Sequence, residues 1–296
     1  MIYVKVLGPT VVEVDGQQIA GTALGGRLRQ VLEVLALEAG QPVAKEVLAD
    51  HVWDGSPPPT YVGTLESYVC VLRKRLGLTG GRRSSLATRD HGYVLAGDDV
   101  QVDLDVFRTL THAPAGTSDR EQVRRALEAL EVVRGPLLAS EPYAGWAAAA
   151  RELFGRELAE SLTRAAGLAN RLGDHDAARR LARHVVEREP YCEAAWQQLI
   201  RAHWLTGERG EALRTYAGLR EMLLDGLGEQ PSSESQDLYL AVLRSQDDTR
   251  HVTGPQEIDL LLRLLRQALE GVPGIRVPRH DAALVTTAVR VLAQTA

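Results

Sequence analysis

The apolar residues change period in a fixed order, and that order most restricts the fold. They alternate at period two through the first 20 residues, recur at helical spacing to about residue 77, and alternate again around "SLATRDHGYVLA". From 119 to 245 the spacing is helical almost throughout. One chain therefore carries a mixed α/β unit followed by an all-helical one. In the first unit, "IYVKVLG" and "TVVEVDGQQIA", with a "DG" between apolar runs, predict a β-hairpin. Leu28, Val31, Leu32, Leu35 and Ala36 mark a helix that Gly40 ends, and a short helix is expected over residues 43–52. "DGSPPP" at 54–59 cannot continue it, and a third helix follows over 60–77. A second hairpin turns at "DHG". Hairpin, three helices and hairpin within about 97 residues predict an α+β winged helix-turn-helix with an N-terminal β-sheet.

The helical half repeats when shifted by 34 positions: Gly173, Ala178 and Arg180 fall on Gly207, Ala212 and Arg214. This is the period of tetratricopeptide helix pairs, in which the glycine closes one helix and the small alanine admits a close neighbour. Trp146, Trp196 and Trp204, with Tyr216, are expected to pack between repeats. The expected domains are thus 1–97, 98–245, and a linker with a C-terminal helical extension over 246–296. Two amphipathic helices in that extension are expected either to cap the chain's own repeat stack or to join two subunits.

The third helix has two faces. Val62, Leu65, Val69, Leu72 and Leu76 form one apolar stripe, expected in the core. Opposite lie Thr60, Gly63, Thr64, Ser67, Val71 and Lys74, flanked by Cys70 and Arg75. Small and hydroxyl-bearing side chains let a helix enter the major groove, where Thr and Ser bond phosphates or base edges and Val71 meets a thymine methyl. A solvated face whose basic end suits the helix dipole is the competing reading. The hairpin tips the balance: residues 73–89 hold Arg73, Lys74, Arg75, Arg82, Arg83 and Arg89 without one acidic residue. An arginine at a wing tip, Arg89, reaches the negative minor groove. Double-stranded DNA is the expected partner, although the net charge of the whole chain is −5.

Other classes find little support. No GxSxG, HExxH or GxxxxGK[ST] occurs, and the eight histidines are scattered. Cys70 and Cys192, 122 residues apart, give neither a disulfide framework nor a metal site. No enzyme, cofactor or metal is expected, and neither a signal peptide nor an 18-residue apolar span is visible, so the expected location is cytoplasmic, away from membranes. A helical-repeat scaffold, or a ligand-sensing regulator without direct activation, is the alternative.

Several stretches, in order, carry a resemblance: "LGPTVVEVDG", "RLRQVLEVLALEAGQPV", "LADHVWDGSPPPT", "LESYVCVLRKRLG" and "GYVL", then "RGPLL", "GDHDAA", "EPYCEAAW" and "GERGEALRTY". Over about residues 1–245 the chain resembles the Streptomyces antibiotic regulatory protein family of transcription activators. The first part resembles an OmpR-type winged helix, the effector domain of two-component regulators, and the second a bacterial transcriptional activator domain. The resemblance implies binding to direct repeats near promoters of biosynthetic gene clusters, recruitment of RNA polymerase including its sigma factor, and room for a homo-oligomer on DNA. Ser67 and Val71 match its groove-facing positions, Arg73 a backbone-contacting one, and Arg89 the wing arginine. The connection before the third helix, with Trp53, Asp54, Ser56 and Pro58, matches the polymerase-facing loop, or merely sets an interhelical angle. Cys70, Val71 and Val94 depart from the family pattern toward less positive charge.

Overall fold

The computed structural model describes residues 1–20, 24–79 and 84–250. The chain divides into two compact units, Met1–Ser235 and Gln236–Ala296. The first begins with β1 (Ile2–Lys5), β2 (Val11–Val14) and β3 (Gln17–Gln18), where the "DG" turn joins β2 to β3. There follow α1 (Arg27–Leu37), β4 (Val43–Ala44), α2 (Lys45–Trp53), α3 (Tyr61–Arg75), β5 (Leu86–Arg89) and β6 (Gly92–Leu95). β7 (Val100–Val102) then pairs in parallel with β1, completing a sheet ordered β3-β2-β1-β7. A parallel pairing needs a long crossover, and here the whole helix-turn-helix and wing form it. The N-terminal sheet is thereby fastened to both ends of the winged helix.

Two expectations about the winged helix need correcting. The second helix begins at Lys45, because Val43 and Ala44 pair with Tyr93 and Gly92 as a third strand of the wing sheet, ordered β4-β6-β5. Gly92 permits that approach: a Cβ there would lie 2.0 Å from the Val43 carbonyl oxygen. Val62 is not core but exposed. The α3 stripe starts at Tyr61, packed against the core, and continues through the buried Leu65, Val69, Leu72 and Leu76. Val62, in the first turn, falls at the edge of this stripe and is left open to solvent. The wing turns at Asp90 and His91, both with positive φ (46° and 63°), as a two-residue hairpin of the kind that matches strand twist.

The helical part comprises α4 (Asp103–Thr111), α5 (Asp119–Val132), α6 (Ala148–Arg171), α7 (His175–Arg188), α8 (Glu193–Leu205), α9 (Arg209–Leu227) and α10 (Ser233–Arg250). The 34-residue register holds at the turns. Gly173 and Gly207 sit at φ 77° and 79°, and the amides of Asp174 and Glu208 return to Ala169 and His203 in the same hydrogen bond of 2.9 Å. Only glycine adopts this conformation freely. Ala178 and Ala212 are fully buried. The two helices expected after residue 255 lie outside the described residues. Among the described residues no helix is long and apolar enough to cross a membrane.

One hydrophobic core runs from the N-terminal sheet through α3 into α6 and α8. The connection between α5 and α6, residues 134–147, lies along the winged helix. Leu138 N–H donates to Val6 O (2.8 Å), and Arg134 N–H to Leu7 O (3.0 Å). Asp103, almost fully buried, accepts the Val6 and Leu7 amides at 2.7 and 2.9 Å. Arg29 of α1 bonds Glu141, and Gln30 donates to the same carboxylate at 3.1 Å. Trp146, expected between repeats, instead stacks on His51 of α2 with centroids 5.7 Å apart and planes 16° apart. Trp196 does face a neighbouring helix, with its ring over Gly218 of α9.

Candidate nucleic-acid interface

α3 is held from behind and from its C-terminal end. Its buried stripe rests on the core, and Arg73, half-buried in the last turn, donates from Nε to Leu86 O (2.8 Å) and from Nη2 to the Thr88 hydroxyl (3.0 Å). Both acceptors belong to β5, so this arginine ties helix to wing. Lys45, at the start of α2, bonds Glu66 of α3 at 2.7 Å and stands 5.7 Å from the Tyr93 ring centroid. The Glu66 bond holds the lysine above its usual pKa, and the pair neutralises the one carboxylate of α3.

The side facing away from the core presents Thr60, Gly63, Ser67, Cys70, Lys74 and Arg75 as exposed residues, with Thr64 and Val71 half-buried. The Thr64 hydroxyl donates to Thr60 O at 3.2 Å. Arg89 is exposed at the end of β5, opposite Gly92 and beside the turn. Among the described residues the side chains of Lys74, Arg75 and Arg89 have no hydrogen bond or ion pair, whereas that of Arg73 is committed to the wing. Arg82 and Arg83 lie outside the described residues. No ion pair among the described residues therefore engages the cations at the helix end and wing tip, which leaves them open to an anion.

The connection from α2 to α3 projects beside this surface. Asp54 and Gly55 take positive φ (52° and 75°), turning the chain so that Asp54, Ser56, Pro57 and Pro59 are exposed and Pro58 half-buried. Trp53 is an anchor: its ring stacks on Tyr68 (6.2 Å, 18°) and lies under the Arg27 guanidinium at 5.4 Å. Sequence reading passed over Arg27, Lys45 and Tyr68. The only sign of Tyr68 was its spacing of seven from Tyr61 along the core side, and nothing local marked the other two.

Comparison with known proteins agrees with this architecture. The family model "Transcriptional regulatory protein, C terminal" matches residues 19–95, and "Bacterial transcriptional activator domain" matches residues 102–243. The transcriptional regulatory protein MoaR1 of Mycobacterium tuberculosis is 30% identical over 254 residues, covering 82% of this chain and 79% of that protein. The regulatory protein DnrI of Streptomyces peucetius is 28% identical over 263 residues, covering 82% and 93%. Mycobacterium tuberculosis EmbR, solved in complex with a low-affinity phosphopeptide, superposes with a TM-score of 0.69 at 26% identity. The match covers 82% of this chain and 65% of that one. With an OmpR-type winged helix and an activator domain in this order, the chain belongs to the Streptomyces antibiotic regulatory protein family of transcription regulators.

Proposed function

We propose that this regulator is a sequence-specific activator that binds direct repeats near the promoters of a biosynthetic gene cluster and recruits RNA polymerase, sigma factor included. The observation that carries this reading is the free basic edge: Lys74, Arg75 and Arg89 stand exposed and unpaired beside a helix face of small and hydroxyl side chains. In a chain of net charge −5, such a local exception suits a polyanion. Thr60, Thr64, Ser67 and Val71 face base edges, and Lys74, Arg75 and Arg89 meet phosphates or the minor groove, with Arg82 and Arg83 preceding the wing. Arg73 orients the wing and keeps a phosphate within reach. Residues 1–97 form the DNA-binding domain and 98–245 the activator domain, and the loop of Trp53, Asp54, Ser56 and Pro58 faces polymerase.

The test is recovery and sequencing of genomic fragments retained by the purified protein, followed by titration of one recovered duplex at several salt concentrations. Direct repeats and a steep fall of affinity with salt support the reading. Retention of no DNA at low salt sinks it and leaves a helical-repeat scaffold.

A further inference from the structure

Between the winged helix and the helical half lies a hollow of about 720 Å³, within the size range of small-molecule sites. Its walls are mostly apolar: Val34 and Val47 come from α1 and α2, and Leu104, Leu137 and Leu153 from the helical side. Val47 and Leu153, each 44% exposed, are large hydrophobic side chains that the fold leaves open to water. The stacked His51 and Trp146 rings line it and also a second hollow of about 680 Å³. Three lining side chains carry ionisable groups. One is His51. Arg108 is engaged by Glu157 (Nε–Oε2 3.0 Å, Nη2–Oε1 3.3 Å), which cancels its charge. The exposed Glu38 carboxylate has no hydrogen bond or ion pair among the described residues, although its backbone N–H donates to Val34 O at 3.3 Å. Glu38 is also the C-cap of α1, where the helix dipole and the last free carbonyls favour a cation.

We propose that this hollow binds a small hydrophobic amine, with its apolar body between Val47 and Leu153 and its ammonium group at Glu38 and the end of α1. The two sides of the hollow belong to the winged helix and to the helical half, so such a ligand bridges them. An effector of this class acts on the unit that presents α3 while leaving the DNA-facing residues untouched.

The experiment is a ligand-observed NMR titration of the whole protein with three probes of one shape: 1-naphthylmethylamine, 1-naphthalenemethanol and 1-naphthoate. Saturable binding is expected, with affinity falling about fivefold at each step from amine to alcohol to acid, as for unit charges about 4 Å apart in water. Glu38→Gln should remove the amine-over-alcohol step, which general attraction to an acidic protein cannot explain. Leu153→Trp should place an indole where the naphthyl body would sit and abolish binding. Should that variant not fold, Val47→Trp on the facing wall, equally exposed, makes the same test. Absence of saturable binding, equal affinity for the three probes, or unchanged binding in the folded tryptophan variant overturns the proposal.

Discussion

Arg73 Nε donates to the Leu86 carbonyl oxygen at 2.8 Å, linking the last turn of α3 to the first residue of β5. With the further bond to Thr88, the guanidinium fork sets where the wing stands relative to the helix. A planar fork makes two directed bonds that an ammonium on a flexible stem does not reproduce.

Arg73→Lys therefore separates charge from geometry. If the wing tie is its main role, the lysine variant should lose nearly as much DNA affinity as Arg73→Ala, and both should melt with a loss of about 1 kcal/mol, typical of one or two part-exposed hydrogen bonds. Full rescue of binding by lysine in an anisotropy titration would instead make Arg73 a phosphate contact.

The free cations should behave differently. Lys74→Ala should weaken binding to every duplex alike and lower the salt slope by about one, while melting stays as in the parent. Arg89→Ala should weaken binding without loss of fold, because nothing among the described residues holds its side chain. Ser67 and Val71 replacements should shift sequence preference. Unchanged binding of an authentic site by all four would remove α3 and the wing from the interface.

Much of this was legible because the signals are local. The 34-residue spacing of Gly173 and Gly207 reports a backbone conformation that only a few residue types tolerate, and the α3 stripe is a periodicity within one helix. β4 was not legible: two residues are too short to alternate, and its existence depends on Gly92, some fifty positions later. The seam between the two halves was hidden for the same reason. Arg29 and Glu141 stand 112 residues apart, and nothing near either shows that they meet. Trp146 could be read as a large apolar residue, but its partner, His51, belongs to the other half of the unit.

That seam carries a pH dependence. Glu33 is fully buried, accepts a hydrogen bond from the Thr10 hydroxyl, and has Arg29 Nε 3.4 Å away, with its second oxygen unpartnered. Burial raises its pKa above 4.5, outweighing Thr10 and Arg29. The folded state thus holds this proton more tightly than the unfolded chain. The resulting stability is present below the ordinary glutamate value and is lost as pH rises through the folded value. Glu33→Gln removes this titration, so its melting temperature should gain on the parent as the pH rises from about 4.5 toward neutrality. Parallel melting curves against pH would show that Glu33 does not titrate in that range. Asp103, raised by burial in the same sense, remains in both proteins and cancels from the comparison.

The loop before α3 offers the last separation, between holding DNA and starting transcription. Its base is fixed by Trp53 on Tyr68, so exposed residues beyond it can change without moving α3. Asp54 adopts φ 52°, a conformation that asparagine also tolerates, and Ser56 is exposed. Asp54→Asn with Ser56→Arg accordingly changes the loop's charge by two while keeping its backbone. If the loop meets polymerase, this variant should bind operator DNA at least as well as the parent, since the added charge is positive. In a reconstituted reaction with polymerase and its sigma factor, it should yield severalfold less transcript. The bland alternative, a turn that only sets the angle between α2 and α3, requires equal transcript from both proteins. Weakened DNA binding together with weakened transcription would place the loop at the DNA and not at polymerase.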